Sequence, residues 1–292
     1  MIPAPFEYHA PKNLEEAVRL LARHGDEAKV LAGGHSLLPL MKLRLAAPRY
    51  VIDIGGLRGL SYVREEQGGI AIGALTTHAE IAASELLEEK CPVLVETARE
   101  IGDVQVRNRG TIGGSLAHAD PAADYPAAVL ALDAEIVVAN SDGTRTIRAT
   151  DFFVDMLTTQ LRPGEILTQI RVPFQMRRSG AAYCKMHQPA SGFAIVGVAA
   201  RITLGAQDKI EQAAVGVTGV APKAYRAAAV EKLLVGKKAS AAAFADAAQK
   251  CVPSDDVLAD IHASAEYRKE MAIVFARRAL TRAWERATGK RA

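Results

Sequence analysis

Two short segments of this chain combine residue types that can hold an anion. Ala32-Gly33-Gly34-His35-Ser36 and Thr111-Ile112-Gly113-Gly114-Ser115 each place adjacent glycines before a hydroxyl. Glycine lets the backbone approach a ligand closely, successive N–H groups can form a concave nest, and a hydroxyl adds one more donor. A phosphate is the natural guest, and two such segments fit a diphosphate gripped from both sides. Either pair alone reads equally well as a tight turn. Neither segment is GxGxxG and no P-loop occurs, which argues against a dinucleotide-binding Rossmann site and against a P-loop NTPase.

Other reactive groups are dispersed. Cys91, Cys184 and Cys251 stand far apart without a CxxC, which excludes a self-contained iron–sulfur or Cys-type zinc site and fits a reducing cytoplasm. None of the seven histidines forms HExxH. His35 and His118 read as hydrogen-bonding loop residues, so no metal ligand and no catalytic side chain is assigned.

The elements that must position these segments belong to an ordinary globular chain of 292 residues, 49% apolar and 24% charged. A net charge of +3, with the signs interspersed, makes no electrostatic case for nucleic acid. No run reaches the roughly 18 apolar residues of a membrane span, and the N-terminus lacks the basic start and apolar stretch of a secretory leader. Asn13 and Glu16 have capping-box spacing, predicting a helix over 14–24 that stops at Gly25. A strand over 28–32 runs into Gly33, a helix follows over 37–44, and a strand over 50–54 closes the unit. Strands near 60–64 and 69–73, helices near 78–88 and 92–101, and a glycine-rich loop at 110–115 come next. Asp124 and Pro126 open a further helix, followed by strands over 135–139, 144–148 and 166–172. The polar stretch 175–180 is the preferred boundary. Beyond it lie strands near 181–187, 194–204 and 210–217, then helices near 225–235, 240–251 and 264–287. The reading is an α+β protein: residues 1–176 in two parts (about 1–57 and 58–176), then 177–292 as a three-stranded sheet with helices on one face.

Four stretches carry a family resemblance. KVLAGGHSLLPLMKLR at 29–44, RNRGTIGGSLAHADPAADYPA at 107–127, EILTQIRVP at 165–173 and AYCKMHQPASGFAIVGVAA at 182–200 resemble the FAD-binding medium subunits of molybdenum hydroxylases. That group includes aerobic carbon monoxide dehydrogenase and xanthine dehydrogenase. The resemblance implies a two-part FAD-binding domain of the vanillyl-alcohol oxidase type and a small C-terminal domain. It implies that Lys29, Val30, Leu31, Ala32, Gly33, Gly34, His35 and Ser36, with Leu37 after them, wrap the FAD pyrophosphate, while Thr111, Gly113, Gly114 and Ser115 close over it. Asp124 matches an acidic residue on the flavin or its ribityl chain, Ile101 and Leu167 match apolar positions around the ring, and Lys185 matches a lysine at the isoalloxazine end. A fixed cation there would favour a reduced anionic flavin. Phe193 stands where relatives place an aromatic residue near the ring, and Pro189 replaces an arginine found in some of them.

Each position also has a plain structural reading: Asp124 as a helix N-cap, Lys185 as a solvated strand-edge charge, and Ile101, Leu167 and Phe193 as core. The implied function is a flavoprotein subunit of a cytoplasmic heterohexamer. A molybdopterin-containing large subunit and a small subunit with two 2Fe–2S clusters would supply electrons, and this chain would pass them to a quinone, NAD or another acceptor. The alternatives are a self-sufficient FAD-dependent oxidoreductase and a non-catalytic nucleotide-binding assembly module.

Overall fold

The computed structural model describes residues 2–253 and 256–289. Three parallel strands, β1 (Glu7–His9), β2 (Ala28–Leu31) and β3 (Tyr50–Asp53), form the first sheet in the order β1-β3-β2. The connection from β1 to β2 is α1 (Leu14–His24), where the Asn13 side chain accepts from the Glu16 N–H at 2.8 Å and the Glu16 carboxylate accepts from the Lys12 N–H. Its buried face, Ala17, Val18 and Leu21, packs on the sheet. The helix α2 (Leu37–Lys42) stops short of the expected Arg44, because that residue takes a left-handed φ of 58°.

The second sheet is antiparallel and contains β4 (Val63–Glu66), β5 (Gly69–Gly73), β6 (Glu135–Asn140), β7 (Gly143–Arg148) and β10 (Ile166–Pro173) in the order β4-β5-β10-β6-β7. Before β10 come α9 (Ala149–Phe152) and the small hairpin β8 (Phe153–Asp155) and β9 (Thr158–Thr159). Six helices separate β5 from β6: α3 (His78–Ala82), α4 (Glu85–Lys90), α5 (Pro92–Arg99), α6 (Val104–Arg107), α7 (Ile112–His118) and α8 (Tyr125–Ala131). The single helix expected near 78–88 is two, because Ser84 caps a new start by accepting from Leu87 N at 3.3 Å. The expected glycine-rich loop at 110–115 is largely the first turn of α7.

The third sheet has four strands, not the three expected: β11 (Ser179–His187), β12 (Ala194–Leu204), β13 (Ile210–Thr218) and β14 (Tyr225–Arg226), in chain order and antiparallel. The helix expected from 225 begins at Ala228, because Tyr225 and Arg226 pair with β13 and the Arg226 guanidinium is held by Glu231, Asp133 and the Leu130 carbonyl. One face carries α10 (Ala228–Leu234), α11 (Ala241–Ala248) and α12 (Ala265–Ala287) over a core that includes Val198, Ile202, Phe244 and Ala279.

The opposite face is covered by α8 and the segment before it. A Cβ on Gly216 would lie 2.1 Å from the Ala127 carbonyl oxygen, so the backbones of β13 and α8 touch. The single proton of Thr218 Oγ1 is shared between the carbonyls of Pro121 (2.8 Å) and Ala123 (2.7 Å), and the Gly219 and Ala194 N–H groups donate to Pro121 and Ala122. Residues 121–124 are thereby fixed against the third sheet.

This contact makes Gly216 sensitive. Gly216→Val should destabilise the protein by at least about 2 kcal/mol, because overpacking against rigid backbone cannot relax by side-chain rotation. A urea unfolding curve checks it, with Gly56→Ala, where a Cβ meets nothing within 4 Å, expected to stay near wild type.

Candidate functional site

The first glycine pair follows β2, whose last residue is tied to β3 by the bond from Ile54 N to Leu31 O at 2.9 Å. Gly34 has a φ of 80°, a conformation that favours glycine, and its carbonyl accepts from Leu38 N as α2 begins. Among the described residues, the backbone N–H groups of Gly33, Gly34, His35, Ser36 and Leu37 donate to no protein acceptor. His35 and Ser36 are exposed and the other three are half-buried. Five consecutive unmatched donors at a strand-to-helix turn have the chemistry an anion needs. Lys29 is exposed on β2, and Val30, Leu31 and Ala32 are half-buried beside it.

The second segment differs from its expected role. Ile112 N donates to Thr76 O, Gly113 N to Ala74 O, Gly114 N to Thr111 Oγ1 and Ser115 N to Thr111 O, so it presents no row of free donors. Its small residues serve packing: a Cβ on Gly113 would sit 2.6 Å from Ala74 Cβ, and one on Gly110 would sit 2.5 Å from His78 Nε2. The two segments nevertheless meet. A Cβ on Gly33 would lie 1.9 Å from the Arg109 carbonyl oxygen, and one on Gly114 3.9 Å from Ala32 Cβ. What the second segment offers a ligand is the half-buried Ser115 hydroxyl, unpartnered within the described residues, beside the first segment's donors.

At the far end, Asp124 and Lys185 form one unit. Asp124 does not cap α8 with its side chain. Its Oδ2 accepts from Lys185 Nζ at 2.9 Å and its Oδ1 from the Tyr183 hydroxyl at 2.5 Å, while Lys185 also donates to the Glu100 carbonyl at 2.8 Å. The Lys185 side chain is 0% exposed, which rules out a solvated edge charge. Burial pushes the Asp124 carboxyl up to about 6, against the lowering effects of Lys185 and Tyr183, and burial raises the Tyr183 phenol well above its ordinary value. Asp124 and Lys185 therefore face each other as a contact pair. The fixed cation expected at position 185 is largely compensated, because its counter-charge is in contact with it.

Ile101, half-buried, adjoins Glu100, and Arg107 holds the Ile101 and Gly102 carbonyls at 2.9 and 3.0 Å. A Cβ on Gly192 would be 3.4 Å from Gly102 Cα, which brings the loop carrying Phe193 to the same place; Phe193 is 47% exposed and so is not a core aromatic. Ile101, Asp124, Lys185 and Phe193 thus converge. Leu167 is 5% exposed, pairs with Val138 across β10 and β6, and belongs to the core of the second sheet. His35 is exposed and His118 half-buried, and the described residues contain no group of three His, Cys, Asp or Glu side chains able to hold a metal ion.

Tyr183 and His78 escaped the sequence reading. Tyr183 was discoverable, since it stands two residues before Lys185 on a strand and must share its face. His78 carried no such signal; it is 4% exposed with Nδ1 unpartnered, and burial pushes its imidazole down to about 4, so it is neutral.

Comparison with known proteins agrees with this architecture. The family described as FAD binding domain in molybdopterin dehydrogenase matches residues 4–175, and the CO dehydrogenase flavoprotein C-terminal domain matches 181–283. The carbon monoxide dehydrogenase medium chain of Hydrogenophaga pseudoflava is 41% identical over 290 residues, covering 98% of this chain and 99% of that one. The 6-hydroxypseudooxynicotine dehydrogenase complex subunit alpha of Paenarthrobacter nicotinovorans is 38% identical over 98% of this chain and 97% of its own length. Solved structures of the Hydrogenophaga enzyme (41% identity, 98% and 99% coverage) and of quinoline 2-oxidoreductase from Pseudomonas putida 86 (30% identity, 99% of both chains) superpose with TM-scores of 0.94 and 0.90. A chain with this two-part fold and C-terminal sheet is an FAD-binding oxidoreductase subunit. It belongs to the medium-subunit family of the molybdenum hydroxylases.

The buried triad yields a direct test. Tyr183→Phe removes a donor to ionised Asp124, and a hydrogen bond to a charged group corresponds to roughly one pKa unit, so the Asp124 carboxyl should titrate about one unit higher. A carboxyl carbon-13 NMR titration of the full chain measures it; an unchanged titration would show that the hydroxyl contributes nothing to the charge state.

Proposed function

We propose that this chain is the electron outlet of a molybdenum hydroxylase, holding FAD between the glycine segments and the Asp124–Lys185 pair. The observation that carries this reading is the run of unmatched N–H groups at Gly33–Leu37, a cradle whose donors suit the two phosphates of FAD. Bound FAD would supply a carrier that accepts two electrons and can release them singly. The protein's own residues bind and orient. The N–H row and the Ser36 and Ser115 hydroxyls hold the diphosphate, Asp124 is placed for a flavin or ribityl polar group, and Ile101 and Phe193 flank the ring. Leu167 would support the site from the core behind it.

In this reading residues 1–176 are the FAD-binding domain, in parts 1–57 and 58–176, and 177–292 form the C-terminal domain. Electrons come from two 2Fe–2S clusters of a small subunit, fed by a molybdopterin-containing large subunit, within a cytoplasmic heterohexamer. They leave to a quinone, NAD or another acceptor. Relatives named as medium chains or as subunits of dehydrogenase complexes support this division of labour. No helix among the described residues is long and apolar enough to cross a membrane.

Two outcomes are expected. Gly33→Ala puts a methyl group into the Arg109 carbonyl, so it should reduce FAD retention by tenfold or more while the chain stays folded, read by flavin absorbance after gel filtration and by circular dichroism. Flavin-loaded chain, free of molybdenum and iron, should give no turnover of aldehydes, N-heterocycles or carbon monoxide with an artificial acceptor. Adding both partner subunits should start it. Turnover by the chain alone would replace the relay with a self-sufficient oxidoreductase.

A further inference from the structure

A cleft of about 670 Å³ opens between β11 and α12, lined on one side by Tyr183, Lys185 and His187 and on the other by Arg277, Arg278 and Arg282. β11 is the edge strand of the third sheet. The even-numbered residues bond inward, as the two flanking the strand show: Arg178 O accepts from Leu204 N and Gln188 N donates to Phe193 O, and the irregularity between Met186 and His187 puts its extra residue on β12, so the alternation along β11 is kept. Its odd-numbered residues therefore aim their backbone groups outward. At the 181–183 end these are capped, since Ala181 O accepts from Arg286 Nη1 at 2.6 Å and Tyr183 N donates to Glu96 Oε2 at 3.4 Å. Beyond that point the capping stops. By the same alternation the Tyr183 C=O, the Lys185 N–H and C=O and the His187 N–H point away from β12, and no side chain or loop among the described residues bonds them. Lys185 makes the exposure explicit: its side chain is 0% exposed while the residue as a whole is half-buried, so what faces the cleft is its main chain.

The charge of the cleft selects the occupant. Lys185 is matched by Asp124, and His187 Nε2 is in contact with the Glu100 carboxylate at 2.6 Å. Arg277 has no ion pair or hydrogen bond among the described residues, Arg278 lies over the Phe275 ring at 4.9 Å, and Arg282 Nη1 reaches only Cys184 Sγ at 3.6 Å. Against these three arginines stand Glu285 and Glu100 in the lining, with Glu96 also acting on Arg282, so Arg277 and Arg278 carry the free positive charge. We infer that this edge of β11 is a docking site for an extended acidic segment of a partner polypeptide, which adds as a short strand beside Tyr183–His187 while its acidic side chains meet Arg277, Arg278 and Arg282. An uncapped sheet edge supplies the register, and unpaired arginines supply the sign. The inference does not depend on the electron-relay reading, because it concerns backbone donors and arginines that the flavin site does not use.

The test uses the full-length chain and a fluorescein-labelled octapeptide of alternating Glu and Val. Fluorescence anisotropy should show saturable binding, and hydrogen exchange should slow at the Lys185 and His187 amides when the peptide is present. The double variant Arg277→Glu with Arg278→Glu should weaken binding roughly tenfold or more, and a Lys-Val peptide should not bind wild type. N-methylation of alternate peptide amides, choosing those that would face β11, should abolish binding without touching the protein. Four results would each overturn the inference: no saturable binding, equal binding of the N-methylated peptide, equal binding of the Lys-Val peptide, or unprotected amides at 185 and 187. Sedimentation showing that the chain dimerises, with the dimer lost in the double arginine variant, would assign the edge to a second copy of this chain instead.

Discussion

Much of this molecule is arranged around a carboxylate and an ammonium that are both out of water. Asp124 precedes α8, in the helical layer between the second and third sheets, and Lys185 lies on the edge strand of the third. Removing two ions from water is costly, and their mutual attraction offsets that cost only when geometry is good and the remaining polar atoms are satisfied. Here they are: Tyr183 occupies the second carboxylate oxygen and the Glu100 carbonyl takes another ammonium proton. The pair requires residues 100, 124, 183 and 185 to arrive together, so it ties the register of β11 to the loop before α6 and to the start of α8. The hydrogen bonds from Thr218 and Gly219 to residues 121–123 hold the same junction from the other side.

A second constraint acts at the opposite end. Gly33 lies against the carbonyl of Arg109 with no room for a methyl group, so the turn after β2 and the loop before α7 can meet only where the turn lacks a Cβ. The glycines of the two segments therefore do different work. In the first, the backbone turns so that its donors stay free; in the second, Gly113 permits α7 to sit on Ala74, and every backbone N–H from Ile112 to Ser115 finds a protein acceptor. One segment offers the N–H row and the other forms the wall beside it.

The contact between Asp124 and Lys185 has an electrostatic consequence. A lone buried ammonium would impose a large fixed potential on its surroundings, whereas a contact pair imposes a dipole. Burial raises the Asp124 carboxyl to about 6, so this half of the pair is the one that acidification reaches first. A carboxyl whose native pKa is raised opposes folding most when it is ionised, so its cost is full above about pH 6, shrinks as the pH falls from there, and is gone below the ordinary 3.8.

The sequence by itself determined the elements that rest on local chemistry. The Asn13–Glu16 cap set α1, apolar runs marked β10 to β13, and the paired glycines before hydroxyls located the first segment's row of free donors and the family resemblance. Those signals lie within a few residues of one another, which is why a linear reading finds them. Tertiary structure decided the rest. That residues 112–118 are helix depends on acceptors at Ala74 and Thr76; that the third sheet has a fourth strand depends on Arg226 reaching Asp133 and Leu130. That Lys185 is compensated depends on a carboxylate 61 positions away. Such pairings are set by which backbones can approach without a Cβ and which buried charges must find partners, conditions that exist only once the sheets have packed.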